Sequence, residues 1–229
     1  MNSSLNQLMI SKYDKRVSYR RKMLDFLQDK YKGLYKGIVL DIGGRDRGNF
    51  RKPKENVERW IFADINPKHN PDMIIDVADM KQIESESIDI INAIELFEHV
   101  KKIKKGLREC FRVLKEKGTL IISAPFLAHI HGDPYDFQRW TSTKWKFELG
   151  KVGFKIEKFI VMGRYFSNLA QDLKELFRAI ERNYRGGSLF IRIFSSLLDK
   201  IQLFDNKKLG KNDPILRNFH NGYFIIARK

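Results

Sequence analysis

The fold is decided by residues 37–44, which read GIVLDIGG, a short β-rich apolar run that ends in two glycines. Continuous apolar runs are typical of strands that are covered on both faces. The spacing of apolar residues over 98–115 predicts a helix. Strands that alternate with helices indicate an α/β fold with a parallel sheet. Six further runs of the same kind are WIFADI (60–65), MIIDV (73–77), IDIINAI (88–94), GTLIISAPF (118–126), FKIEKFIVMG (154–163) and YFIIARK (223–229).

Helical patterns flank and interrupt these strands. Residues 5–32 have helical spacing, residues 165–184 carry one apolar stripe, and residues 188–204 are apolar around most of a helix. Gly186 and Gly187 separate the last two of these patterns. We therefore predict three parts: an N-terminal helical extension (1–36), a sheet domain (37–163 and 219–229) and an inserted helical cap (164–218).

Composition excludes several classes of protein. With 42% hydrophobic and 31% charged residues over 229 positions, the chain is predicted to be globular and to bury a sizeable core. The single cysteine, Cys110, excludes a disulfide framework and a cysteine-based zinc site, and it favours a reducing compartment. No run reaches the roughly 18 apolar residues of a membrane span, and the first residues lack a signal-peptide core. We expect a cytoplasmic protein.

The net charge of +16 is distributed unevenly. Residues 1–37 carry 9 Lys/Arg against 3 Asp/Glu, residues 38–143 carry 17 of each, and residues 144–229 carry 18 against 8. The whole basic excess therefore lies in the two flanks. A basic surface attracts nucleic acid, anionic lipid or acidic substrates. The alternative is a solvated, lysine-rich surface with no partner.

Glycines and an acid mark a nucleotide site. Ligands of an open parallel sheet bind at the carboxyl ends of its strands. Gly43 and Gly44 follow the first strand, and Asp64 ends the second one, 21 positions after Gly43. An acid at about that spacing accepts hydrogen bonds from ribose hydroxyls, so the pattern predicts an adenosine-type ligand. A nicotinamide enzyme would need a third loop glycine where Arg45 stands, which argues against a dinucleotide.

Five segments occur in the order VLDIGG, FADINP, IIDVADM, IDIINAIELFEHV and FRVLKEKGTLIISAPF. In this order the chain resembles class I S-adenosylmethionine-dependent methyltransferases over 37–163 and 222–229, most closely the small-molecule and glycan branch. The stretch HIHGDPYDFQRWT (129–141) is similar to one in bacterial methyltransferases linked to surface polysaccharides. The resemblance implies a Rossmann-like, seven-stranded mixed sheet with helices on both faces. Its last strand would be antiparallel and lie beside the fifth.

The resemblance also implies which residues bind S-adenosylmethionine. Arg45 departs from the second loop glycine of the family. Either Arg45 or Arg47 reaches the methionine carboxylate, or the loop is degenerate and the protein is a non-catalytic scaffold. The implied residues are Asp41 and Gly43 for the methionine part, Asp64 for the ribose hydroxyls, Asp76 and Val77 for the adenine, Glu95 and Leu96 near the sulfonium, and the adjacent Gly44 and Ile65.

The catalytic residues are predicted after the fifth strand. Methyl transfer to oxygen or nitrogen is a direct displacement that needs a group to remove a proton. We predict His131 as the base, with Asp136 and Arg139 beside it, and we predict no metal ion. The alternative is an ordered loop whose polar groups satisfy one another, and His99 fits a packing or capping role. The full set of candidate bases is His99, His129, His131, Asp133 and Asp136.

The predicted acceptor is a small molecule, a glycan or a lipid-linked sugar, of anionic character because the flanks are basic. RNA is the alternative acceptor, although the flanks hold no RNA-binding module. Residues 188–204 fit a core or dimer helix, or else a helix that rests on the inner face of a membrane. The sequence leaves the oligomeric state open.

Overall fold

A computed structural model describes residues 17–45, 49–132, 134–184, 194 and 197–229. Arg47, Asp133 and eight of the seventeen residues of 188–204 fall outside the described residues. The strands are β1 (Gly37–Ile42), β2 (Val57–Asp64), β3 (Met73–Ile74), β4 (Ile88–Ile94), β5 (Leu114–Pro125), β6 (Lys155–Val161) and β7 (Gly222–Arg228). The longer helices are α1 (Tyr19–Lys30), α2 (Ile103–Val113), α3 (Ser142–Val152) and α4 (Tyr165–Asn183).

The seven strands form one mixed sheet in the order β3-β2-β1-β4-β5-β7-β6. The pairs from β3 to β5 are parallel. β7 is antiparallel and lies between β5 and β6, which confirms the predicted position of the last strand. Strand order reverses at β1 and β4, so the carboxyl ends of these strands flank the crevice where ligands of such sheets bind.

One strand and one helix differ in kind from the sequence prediction, beyond small shifts in the ends of other elements. The predicted third strand, 73–77, pairs only over Met73–Ile74. Asp76 ends the pairing because its carboxylate accepts a hydrogen bond from the backbone N–H of Ala78, which turns the chain. The predicted helix over 98–115 is split into a 3₁₀ turn, Phe97–His99, and α2.

The core of the sheet lies on β1, β4, β5 and β7. Each of these strands is an unbroken or nearly unbroken run of buried residues, as expected for strands with both faces covered. α2 buries one stripe at helical spacing against this core. The stripe consists of Ile103, Gly106, Leu107, Cys110 and Val113.

The chain divides into two compact units. One comprises residues 27–160 and 223–229, and the other comprises residues 1–26 and 161–222. The predicted boundaries of the extension, sheet domain and cap stay predictions. Among the described residues, no helix combines the length and the apolar character needed to cross a membrane.

In the second unit, Asp205 holds the start of α4. Its carboxylate accepts hydrogen bonds from the backbone N–H groups of Arg164, Phe166 and Ser167. The first N–H groups of a helix have no partner inside the helix, and a negative charge there is favoured by the helix dipole. Asp205 therefore caps α4 from a position about forty residues later in the chain.

Candidate active site

The glycine loop after β1 is shaped by Asp41. Gly43 has a φ of 70°, the left-handed region that favours glycine. A Cβ on Gly44 would lie 2.0 Å from Oδ1 of Asp41, so the carboxylate occupies the space that any side chain at this position would need. The loop therefore requires both glycines, one for its backbone angle and one for the close approach of Asp41.

Asp41 itself is held in a buried polar network. Its side chain accepts hydrogen bonds from Asn92 Nδ2 at 2.7 Å and from Trp60 Nε1 at 2.9 Å. Lys52 Nζ lies 3.5 Å from Oδ2, and Tyr35 donates to Asn92 at 2.8 Å. Burial raises the pKa of Asp41, while the contacts with Asn92, Trp60 and Lys52 lower it. The predicted contact between Asp41 and the methionine part stays a prediction; in the structure this residue organises the loop.

Asp64, at the end of β2, is linked to His69 and Arg45 by a chain of two hydrogen bonds. Nδ1 of His69 lies 2.8 Å from Oδ2 of Asp64, and the backbone N–H of Asn66 donates to Oδ1. Because a carboxylate only accepts, Nδ1 carries the proton. Nε2 of the same ring lies 3.3 Å from Nη1 of Arg45 and accepts from it. Arg45 therefore points along the β2 side of the site.

Apolar surface lies beside this carboxylate. Ile65 is 62% exposed and Ile74 is 56% exposed, which is unusual for side chains of this size. Asp76 is exposed, whereas Val77 is buried. A carboxylate that accepts hydroxyl donors next to exposed aliphatic surface suits a ribose with an attached base.

The turn after β4 brings an acid to the same edge of the sheet. Glu95 has a φ of 52°, and its carboxylate accepts a hydrogen bond from the hydroxyl of Ser123 on β5. Leu96 is half-buried, and its Cδ1 would lie 3.1 Å from a Cβ on Gly43. The turn after β4 and the loop after β1 are therefore in close contact.

The loop after β5 is fastened to this turn by hydrogen bonds. The backbone N–H of Phe137 donates to the carbonyl of Glu98, and Nε2 of Gln138 donates to the carbonyl of Val100. Nδ1 of His99 lies 2.6 Å from the carbonyl oxygen of Tyr135. Burial lowers the pKa of His99. Three hydrogen bonds thus hold residues 135–138 against residues 98–100.

His131, Asp136 and Arg139 meet within this loop. Arg139 donates to both oxygens of Asp136, which lowers the pKa of Asp136 to about 2. The same carboxylate accepts a hydrogen bond from the backbone N–H of His131, whose Nδ1 lies 3.7 Å from it. The predicted trio is therefore adjacent. His99, another of the candidate bases, lies beside them, with its ring centroid 5.4 Å from that of His131.

The chain is similar in sequence and fold to known methyltransferases. A family model described as a methyltransferase domain matches residues 54–122, from just before β2 to within β5. The chain carries a methyltransferase domain of class I fold. Enzymes of this class take the methyl group from S-adenosylmethionine. No protein of curated function matches the chain.

Solved structures share the fold of this methyltransferase domain at low sequence identity. A SAM-dependent methyltransferase from Archaeoglobus fulgidus is 18% identical with a TM-score of 0.54, covering 91% of this chain and 94% of that one. The 4+2 cyclase SpnF is 15% identical with a TM-score of 0.56, covering 95% of this chain and 84% of that one. One of these two proteins is a cyclase and the other a methyltransferase, so this fold is shared by proteins with different reactions.

The sequence prediction does not include several residues of the candidate site. His69 lies five positions after Asp64, across a 3₁₀ turn that begins with Pro67, and an Asp-x-Asn-Pro-x-His pattern is the signal that could have indicated the pair. Trp60 and Asn92 lie within the predicted strands 60–65 and 88–94, and no sequence signal marks them as site residues. The apolar spacing predicts Glu98 and His99 at the start of a helix, and of the two only His99 is among the candidate bases. In the structure they belong to a 3₁₀ turn that faces His131.

Proposed function

We propose that the protein transfers a methyl group from S-adenosylmethionine to an oxygen or nitrogen atom of an anionic small molecule, glycan or lipid-linked sugar. The observation that carries this proposal is Asp64. Its carboxylate is fixed by His69 and Asn66 at the end of β2, with exposed Ile65 beside it. Gly43 lies one strand away, at the end of β1.

The donor set of these residues fits the cofactor. Each oxygen of Asp64 already accepts one hydrogen bond, and a carboxylate oxygen has room for a second from a ribose hydroxyl. Ile65 and Ile74 provide aliphatic surface for the adenine. His69 acts as a positioning residue because it fixes the carboxylate. We call Asp41, Gly43, Gly44, Asp64 and His69 the donor region.

The acceptor would approach from the loop after β5. When bound, S-adenosylmethionine supplies an electrophilic methyl group. The acceptor must reach that group in line and must lose a proton as the new bond forms. We call Glu98, His99, His131, Asp136 and Arg139 the acceptor region. It follows the turn that carries Glu95 and Leu96, the residues predicted near the sulfonium.

Charge supports an anionic acceptor. The basic excess lies outside residues 38–143, in residues 1–37 and 144–229. Fields of this kind raise the local concentration of oppositely charged substrates. An anionic sugar or lipid-linked glycan also offers the hydroxyl or amine that methyl transfer requires.

The test begins with binding and continues with transfer. Equilibrium dialysis of the full chain with labelled S-adenosylmethionine should give one bound equivalent, and absence of binding at millimolar cofactor would overturn the proposal. Transfer of a labelled methyl group is then screened against nucleotide sugars, acidic oligosaccharides, lipid-linked glycans and RNA. Transfer to RNA alone would replace the proposed acceptor class. Binding without transfer to any of them would favour a scaffold.

A further inference from the structure

Three side chains of metal-binding type meet between the turn after β4 and the loop after β5. Glu98, His99 and His131 each place one ligand atom so that all three atoms lie within 4.8 Å of one another. Two of the residues are adjacent in sequence and the third follows more than thirty positions later, so the fold brings them together. Two imidazole nitrogens with one carboxylate oxygen suit divalent first-row transition metals.

Hydrogen bonds determine which ring nitrogen of each histidine is available. Nδ1 of His99 lies 2.6 Å from the carbonyl oxygen of Tyr135, and Nδ1 of His131 lies 3.1 Å from that of His129. A carbonyl oxygen can only accept, so each Nδ1 carries a proton and each neutral ring keeps its lone pair on Nε2. Metal-bound histidines donate their second N–H to carbonyl groups in the same way.

The spacing of the ligand atoms is close to that of a metal site. Nε2 of His99 lies 3.8 Å from Oε1 of Glu98. Two ligands at about 2.0–2.2 Å from a tetrahedral ion lie roughly 3.4 Å apart. Side-chain shifts of roughly 1 Å would therefore bring the three ligand atoms to an ion. The hydrogen bonds to the carbonyl groups of Tyr135 and His129 keep the two rings in the orientation that such a site needs.

The cluster is buried at one end and open at the other. Glu98 is 2% exposed, whereas the side chain of His131 is 36% exposed. Catalytic metal sites typically have three protein ligands and an open position for water or substrate. Asp136 and Arg139 pair with each other next to His131, so the neighbouring charges are balanced on that side.

We propose that Glu98, His99 and His131 bind one divalent transition-metal ion, with open coordination positions for an oxygen atom of the acceptor. His131 is then a ligand and not the predicted base, because a metal-bound Nε2 has no lone pair for a proton. A hydroxyl bound to such an ion would lose its proton more readily, and the proton would pass to water at the open end of the cluster. The part that the ion plays in catalysis rests on the proposed methyl transfer, whereas its binding does not.

The test measures the metal alone on the full chain, free of any histidine tag and stripped by a chelator. Co²⁺ titration followed by visible absorption, and Zn²⁺ titration by calorimetry, should each give one equivalent. His131→Ala and Glu98→Gln should each weaken metal binding at least about 10-fold. Mutating a residue that only hydrogen-bonds to a metal ligand already costs about that much affinity, and these two residues are the ligands themselves. His220→Ala, a half-buried histidine outside the cluster, should bind as the wild type does.

Two results would overturn the proposal: a wild type that binds no more Co²⁺ than His131→Ala, or a wild type that binds none. Should Glu98→Gln fail to fold, the more exposed His131→Ala decides the matter. S-adenosylmethionine binding is measured on the same stripped protein. Loss of cofactor binding with metal binding intact would count against the proposed function only, and the reverse would count against the metal site only.

Discussion

The donor region and the acceptor region are built in different ways. In the donor region, Asp41 lies on β1 and Asp64 ends β2, and the parallel pairing of these strands sets both at one edge of the sheet. In the acceptor region, His131 and Asp136 lie on a loop that hydrogen bonds fasten to the turn at Glu98. Secondary structure thus positions one region, and loop contacts position the other.

Because of this difference, we expect a substitution in one region to leave the other region intact. A site at strand ends is maintained by the sheet, so single side-chain changes there should remove one interaction and leave the acceptor region intact. A loop site depends on a few hydrogen bonds, such as that from His99 to Tyr135. We expect changes there to affect turnover while cofactor affinity stays near that of the wild type.

The largest effect is expected for His131→Ala. As a metal ligand or as a base, His131 acts on the proton that the acceptor loses, so turnover should fall by about 10²–10⁴-fold. The affinity for S-adenosylmethionine should barely change, because the donor region is untouched. Initial rates and equilibrium dialysis measure the two quantities, with His220→Ala as the control. A joint loss of turnover, cofactor affinity and melting temperature would instead indicate an ordered structural loop.

Asp64→Ala should show the opposite pattern. Hydrogen bonds to a charged group contribute about 1.5–3 kcal/mol, so cofactor affinity should fall roughly 10-fold or more. The affinity of the stripped protein for Co²⁺ should stay the same. Calorimetry measures both, and Asp172→Ala, an exposed carboxylate on α4, is the matched control. Unchanged cofactor affinity in a folded Asp64→Ala protein would place the cofactor elsewhere.

Gly44→Ala tests the loop itself. Its Cβ would lie 2.0 Å from Asp41, so the loop or the carboxylate must move, at a cost of about 1–3 kcal/mol in the free energy of unfolding. Gly33→Ala is the matched control, because nothing lies within 4 Å of a Cβ at Gly33. Urea unfolding compares the two. Equal stabilities would mean that Asp41 does not restrict the loop.

The smallest effect is expected for Tyr35→Phe. This change removes the donor to Asn92, which in turn donates to Asp41, and one such hydrogen bond contributes about 0.5–1.5 kcal/mol. The free energy of unfolding should fall by that amount, while turnover changes little. Tyr184→Phe, at an exposed tyrosine, should have no effect. A Tyr35→Phe protein as stable as the control would show that the network adds nothing through this hydroxyl.

The sequence predicted what depends on local patterns. The predicted strand 88–94 has the same limits as β4. Gly43 and Asp64, which the sequence places after the first strand and at the end of the second, lie at the ends of the neighbouring strands β1 and β2. The antiparallel last strand also followed, through the resemblance. The first two features depend on continuous apolar runs and on glycine conformation, which are properties of short segments.

The sequence could not predict contacts made by the fold. His99 was read as a packing or capping residue because helix-start positions resemble one another in a single sequence. Its actual partners, Tyr135 and His131, lie more than thirty positions away on a loop without periodicity. The partial strand β3 was overestimated because the side-chain hydrogen bond of Asp76 competes with strand pairing.

The placement of β7 determines when the sheet can close. β5 and β6 are consecutive strands in the chain, yet they are not neighbours, because Gly222–Arg228 lies between them. Until those residues have left the ribosome, β5 has one edge with unpaired backbone groups, and β6 has no strand to pair with. Long-range pairing forms slowly, and unpaired strand edges promote aggregation. The yield of folded protein should therefore be more sensitive to substitutions in β7 than to equal changes in β3, which lies at an edge of the sheet.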